Sequence, residues 1–249
     1  MDVLASFAEK HGITYTLLSD EGSKIIRELG LFNDHVYEHH AVYGIPKQDR
    51  HWGVPYPGAF LLDAQGRVMQ KHFQQSYRER ETGVALLEHG FGAESSVHGA
   101  EVRTHPEGLE VRAYLDSETY RFFQRLWLTV ELIIAPGLHV YGRPISEGYI
   151  PLSIEVSPIP GLVVGAPEFP MPHPYRVEEL DEELSVYEGK VAVALPLTFT
   201  QEGDDQTVRV TVRYQACSAT DCLLPSTVRL ELPVKAADLI DRPRHKEQV

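Results

Sequence analysis

Cysteine is nearly absent from this sequence: Cys217 and Cys222 are the only two among 249 residues. That excludes a disulfide-stapled scaffold, and it excludes a zinc centre built from thiolates alone, because structural zinc takes four ligands. It also leaves residues 1–216 without any thiol chemistry of their own. Long apolar runs are missing as well, none approaching the roughly eighteen residues a membrane-spanning helix needs. Positive charge is scarce, with 23 Lys and Arg against 36 Asp and Glu and a formal net charge of −13. Such a surface repels phosphate backbones, so nucleic acid is not an expected partner. The first ten residues carry neither a basic segment nor an apolar core, and no signal peptide is read there.

What remains is a globular balance, 43% hydrophobic and 24% charged, in a length that suits one large or two ordinary domains. The pattern along the chain favours two. Val3, Leu4, Phe7 and Ala8 share a helical face that Gly12 can close. Ile13, Tyr15 and Leu17 alternate as a strand, and Ser23 is placed to cap a second helix carrying Ile25, Ile26 and Leu29, ended by Gly30. Residues 31–53 read as an irregular, solvated insertion. Residues 59–63 and 68–73 form a β-hairpin about a turn at Ala64-Gln65-Gly66, and Thr82 to Gly90 is a short helix. Residues 93–97 are small and polar, and beyond them only strands are predicted, which sets the domains at 1–95 and 98–236 with a tail at 237–249.

In the second domain, alternating residues mark strands at Leu109 to Leu115, Leu126 to Leu132, Leu152 to Val156, Val191 to Phe199, Val208 to Tyr214 and Val228 to Leu232. Short strands of this kind joined by Pro- and Gly-rich connections predict an all-β sandwich. Pro158 to Pro174 reads as an irregular surface segment. The cysteines lie between the last two strands, separated by Ser218, Ala219, Thr220 and Asp221, so that they face each other across a hairpin mouth with Cα atoms about 4.5–5.5 Å apart. A bridge over so few residues stabilises by only about 2 kcal/mol, which makes it a poor brace. From the residues alone a redox-active pair, an inert bridge and two unreactive thiols all stay open.

The stretch Trp127 to Tyr141 (WLTVELIIAPGLHVY), then Gly148-Tyr149-Ile150-Pro151, Tyr187-Glu188-Gly189 and Tyr214-Gln215-Ala216-Cys217 through Cys222-Leu223-Leu224-Pro225 resemble the N-terminal domain of the thiol:disulfide interchange protein DsbD, over roughly residues 98–236. The resemblance implies an immunoglobulin-like β-sandwich, a periplasmic setting, and a redox-active pair that passes electrons between a membrane redox module and thioredoxin-like partners. Phe7 to Ile13, Leu17 to Asp20 and Pro57 to Gly66 resemble the later part of an AhpC/TSA redoxin of thioredoxin fold. That likeness implies an incomplete α/β domain lacking its first strands and its peroxidatic cysteine, a cis bond before Pro57, and a true start upstream of Met1.

The fold expected is therefore a partial thioredoxin-like domain followed by an immunoglobulin-like sandwich. The function expected is thiol-disulfide exchange through Cys217 and Cys222, with a thioredoxin-like or membrane redox protein as partner and no cofactor. Asp221 disfavours a thiolate at the adjacent Cys222, which points to Cys217 as the nucleophile. Tyr214, Gln215 and Asp221 are candidates for the wall of the site. His35, His39, His40 and His51 cluster in sequence without the spacing of a metal site, and no metal is expected. The rival readings are a non-catalytic binding module with a structural disulfide, and a fragment of a peroxiredoxin-like protein whose catalytic cysteine lies upstream.

Overall fold

The computed structural model describes residues 2–42, 46–74, 80–93, 95, 99–177 and 182–237. Most of the predicted boundary segment, and the tail after residue 237, lie outside the described residues. The chain divides into two compact units, one of the described residues up to 80 with 89–92 and Ala237, the other of residues 81–88 with 93–236.

In the first unit, helix α1 (Asp2–His11) ends at Gly12, whose φ of 63° is one that an L side chain resists. Helix α2 (Lys24–Glu28) is not capped by Ser23, whose side chain makes no capping bond. The Asp20 carboxylate does that work, accepting from the backbone N–H of Ile25 and of Ile26 at 3.0 Å each. Those bonds hold its pKa below the usual carboxylate range. Residues 13–17 form no strand. A strand needs a neighbour to take its N–H and C=O groups, and among the described residues strands β1 (Gly58–Leu62) and β2 (Val68–Phe73) pair only with each other.

The insertion expected to be solvated is instead packed locally. Helix α3 (Val36–Val42) and a 3₁₀ turn (Asp49–His51) bury Asn33, Val36 and His40. Tyr37 stacks on Trp52 at 5.5 Å and His40 meets His51 edge-on at 4.7 Å. Among the described residues no three His, Cys, Asp or Glu side chains converge as metal ligands. The peptide bond before Pro57 is not cis; the cis bond among the described residues is Arg143–Pro144. The Pro57 carbonyl instead accepts from Gln74 N–H at 2.9 Å, extending the β1–β2 ladder by one more pair.

β3 (Arg80–Glu81), helix α4 (Gly83–Ala85) and a π-helical turn (Leu86–Gly90) come next in the chain, and Glu81–Glu88 of this stretch belong to the second unit. Segment 81–88, expected to go with the residues before it, joins the sandwich because β3 pairs with β7 and the Thr82 hydroxyl donates to Asp116 Oδ2 at 2.5 Å. Then follow β4 (Glu101–Thr104), β5 (Leu109–Leu115), β6 (Thr119–Tyr120), β7 (Gln124–Ile134), β8 (His139–Tyr141), β9 (Ser153–Val156) and β10 (Leu162–Val164). The remainder are β11 (His173–Val177), β12 (Glu182–Tyr187), β13 (Lys190–Phe199), β14 (Gln206–Tyr214), β15 (Ala216–Cys217) and β16 (Ser226–Ala236).

One sheet runs β10-β13-β7-β5-β4, and a second runs β6-β16-β14-β9. Strict alternation along β13 and β14 puts Val191, Val193, Leu195, Leu197, Val208, Val210 and Val212 into one apolar core with Leu128, Val130, Leu132, Leu230 and Leu232. A side chain of this kind, fully buried, contributes about 1.5–3 kcal/mol. This is the sandwich the alternation predicted. A third sheet, β11-β12-β8-β15, lies along the same core and was not foreseen. Its strands are short, and β11 begins within the proline-rich stretch read as irregular, which also holds β10 of the first sheet.

Candidate thiol-disulfide site

The cysteines do not continue the β14–β16 ladder, which closes at Tyr214 opposite Ser226. The chain leaves β14 there and enters the third sheet, where Ala216 pairs with Val140 and Cys217 with His139. Four residues then reverse it. Ser218 N–H donates to the Asp221 carbonyl at 2.7 Å, and Ser218 Oγ accepts from Thr220 N–H at 3.2 Å and from Asp221 N–H at 2.9 Å, a serine-nucleated turn. Leu223 N–H returns to the Ala216 carbonyl at 2.8 Å, and Gln215 Nε2 braces the loop on the Leu223 carbonyl at 3.2 Å. Cys222 is thereby set opposite Cys217, with Cα atoms 4.0 Å apart and the sulfurs bonded at 2.00 Å. The cysteines do face each other across a tight hairpin, but it is a small one of its own.

The third sheet has two unlike faces, because side chains alternate along a strand. Val140, Tyr187 and Ala216 point into the main core. Tyr141, Leu184, Val186 and Cys217 form a second cluster on the other face, partly covered by Ile145, Tyr149, Tyr175 and Val177. His139 lies two residues before Tyr141 and so shares that face, 4% exposed. Its ring sits 4.5 Å from Tyr175 and 5.4 Å from Tyr141, while Tyr141 meets Tyr149 edge-on at 4.9 Å. The disulfide is set at the edge of an aromatic basin.

Tyr141 touches the sulfur chemistry directly. Its hydroxyl donates to Cys217 Sγ at 3.1 Å and lies 3.5 Å from Cys222 Sγ. Burial pushes this phenol above its ordinary pKa, so it stays a proton donor throughout the neutral range. Tyr149 donates to Glu182 Oε2 at 3.0 Å, and that bond, with burial, raises its pKa too. Burial lowers the pKa of His139, with His173 adding to the effect and Glu188 opposing it, and the imidazole is neutral at pH 7. The two cysteines differ sharply in exposure: Cys217 is 1% exposed, whereas Cys222 is exposed beside Leu224, itself 86% exposed. Were a thiolate to attack on the exposed Cys222 side, the Cys217 sulfur would leave toward the Tyr141 O–H donor.

Of the expected wall residues, Gln215 holds the loop from behind. Asp221 is exposed and accepts from the Thr220 hydroxyl at 2.7 Å. Tyr214 is not in the wall. At the end of a half-buried strand its ring points the other way and is buried in the main core. His139, Tyr141, Tyr149 and Tyr175 were missed as site residues. The first two belong to a three-residue strand, too short to show alternation, and the others sit among prolines and glycines.

Residues 113–233 match the family of the thiol:disulfide interchange protein DsbD, N-terminal. Residues 1–71 match the AhpC/TSA family. The DsbD match takes in every residue of the basin and both cysteines, and a closed Cys pair within such a domain fits thiol-disulfide exchange. Among solved structures, the N-terminal periplasmic domain of ScsB from Proteus mirabilis is 20% identical with a TM-score of 0.41, covering 54% of this chain and 51% of that one. The chain thus spans about half the length of that relative. The DsbD N-terminal domain of Neisseria meningitidis in its reduced form is also 20% identical, with a TM-score of 0.32 over 43% of this chain and 77% of that one. A comparison with curated proteins finds no match.

Proposed function

We propose that the sandwich relays electrons to or from a thioredoxin-like partner, entering and leaving through the Cys222 sulfur. The observation that carries this is the asymmetry of the pair, an exposed Cys222 joined to a Cys217 that is 1% exposed and hydrogen-bonded by Tyr141. Exchange proceeds through a mixed disulfide on whichever sulfur the partner can reach. This reverses the assignment that the charge of Asp221 suggested: Asp221 is exposed and engaged with Thr220, and access outweighs its modest repulsion. The DsbD match supports a partner of thioredoxin type or a membrane redox module. The AhpC/TSA match supports a redoxin-related origin for the N-terminal unit, which has no cysteine and so contributes no thiol.

The test is trapping combined with a redox titration of the full chain. Cys217→Ser should accumulate a mixed disulfide with a reactive thioredoxin-like protein, because the resolving thiol is gone, and Cys222→Ser should accumulate little. The potential of the pair should fall at roughly −120 to −270 mV, the range of exchange proteins, whereas a structural bridge lies below about −300 mV. A potential below that limit together with no adduct from either variant would leave the disulfide as a brace.

A further inference from the structure

Resolution of the mixed disulfide requires a proton to be removed in a place water does not reach. In the direction that leaves this chain oxidised, the Cys222 thiolate opens a partner's disulfide. Cys217 then attacks the Cys222 sulfur and expels the partner's thiolate. Cys217 is 1% exposed, and desolvation keeps a buried thiol protonated. It can act as a nucleophile only if some neighbouring group takes its proton.

Tyr141, on β8, is already the donor to the Cys217 sulfur, and its raised pKa suits it to giving a hydrogen bond, not to accepting a proton. Tyr149 and Glu182 are bonded to each other. On β11, Tyr175 packs on the His139 ring and His173 pairs with Glu188 at 3.1 Å toward solvent. His139 is the cross-strand partner of Cys217 in the β8–β15 ladder. Directly opposed residues of an antiparallel pair place their side chains on one face with Cβ atoms about 4.5–5.5 Å apart.

We propose that His139 is the residue that accepts the Cys217 proton as the mixed disulfide resolves, and returns it to the departing Cys217 sulfur when the exchange runs in reverse. The step balances: the Cys217–Cys222 S–S bond forms, the Cys222–partner bond breaks, and the partner sulfur takes the electron pair. The Cys217 proton passes to the imidazole, and from there to solvent or to the expelled thiolate. The lowered pKa keeps the imidazole neutral and so ready to accept, while His173 and Glu188 act on it in opposite senses. This proposal rests on Cys222 being the entry sulfur.

Ellman's reagent, an aromatic disulfide, separates the two steps in the reduced full-length chain. Attack by Cys222 releases one equivalent of thionitrobenzoate, and resolution by Cys217 releases the second. In wild type the second phase should be flat with pH near neutrality and fall only at a pH below the ordinary histidine value of about 6.5, because burial lowers the pKa of His139. His139→Gln keeps the size and polarity but cannot take a proton. Its second phase should be at least tenfold slower at pH 7 and climb tenfold per pH unit, with the first phase unchanged. A wild-type second phase that already rises tenfold per unit, or one that His139→Gln leaves intact, overturns the proposal. Should the Gln variant not fold, the wild-type profile still decides, together with NMR titration of His139 in reduced wild type and in Cys217→Ser: a shared proton makes the two titrations differ, and identical curves refute it. The underlying reading fails separately, if Cys222→Ser gives the fast release and Cys217→Ser gives none.

Discussion

Asp116 offers a perturbation whose size and sign follow from its surroundings. It is 3% exposed, accepts from the Thr82 hydroxyl and from Trp127 N–H at 2.9 Å, and is pushed up to about 6 from 3.8, chiefly by desolvation. The folded state therefore binds this proton more readily than the unfolded chain does. Stability from this group is fully present below a pH of 3.8 and is lost as pH rises through 6. A shift of about two pH units at 1.36 kcal/mol each makes the loss about 3 kcal/mol at neutral pH. Asp116→Asn removes the titration but leaves an NH₂ group to satisfy, at a cost of about 1 kcal/mol. The variant should thus be less stable than wild type by about 1 kcal/mol at pH 4 and more stable by about 2 kcal/mol at pH 7.5. Urea unfolding read from Trp127, in a Trp52→Phe background because Trp52 belongs to the other unit, follows the sandwich alone. Carboxylates whose pKa is lowered, such as Glu101 beside Arg112 and Arg103, slope the other way in both proteins and cancel in the difference. A difference that stays flat from pH 4 to 7.5, or that falls, would refute the reasoning.

Tyr141→Phe removes the donor to the Cys217 sulfur, a bond worth about 1.5–3 kcal/mol once that sulfur is a departing thiolate. Reduction of the disulfide by dithiothreitol should slow by about tenfold or more, and an unchanged rate in stopped flow would exclude a role for the hydroxyl. The N-terminal unit leaves Val3, Tyr15, Leu18 and Met69 exposed at 82%, 70%, 87% and 63%, so residues 1–80 made alone should exchange their amides rapidly and self-associate. Cooperative unfolding of that fragment as a monomer would contradict this.

The sandwich was legible because its long strands alternate: Val208, Val210 and Val212 against Arg209 and Arg213, or Val191 to Phe199, carry a period that a single buried face demands. Legible too was the closeness of the two cysteines, five positions apart about a polar turn, whereas the bond between them is shown by the structure. What misled were local signals that competed with better partners. Ser23 looked like a cap, but Asp20 could offer two carboxylate oxygens to adjacent N–H groups. Ile13 to Leu17 alternates, yet alternation makes a strand only where another strand stands beside it.

From composition and pattern alone it follows that any thiol chemistry here belongs to Cys217 and Cys222, that the net charge is −13, and that the second half is built of strands. These follow from composition and from a side-chain period written in consecutive residues. What surrounds the sulfurs comes from long-range pairing. His139 and Tyr141 lie more than seventy residues from Cys217 in the chain and meet it through the pairing of a three-residue strand with a two-residue one. Which sulfur is open and which is buried depends in turn on the face of that sheet turned away from the main core. Neither the pairing nor the face is encoded locally, because strands this short take their place from the core they pack against.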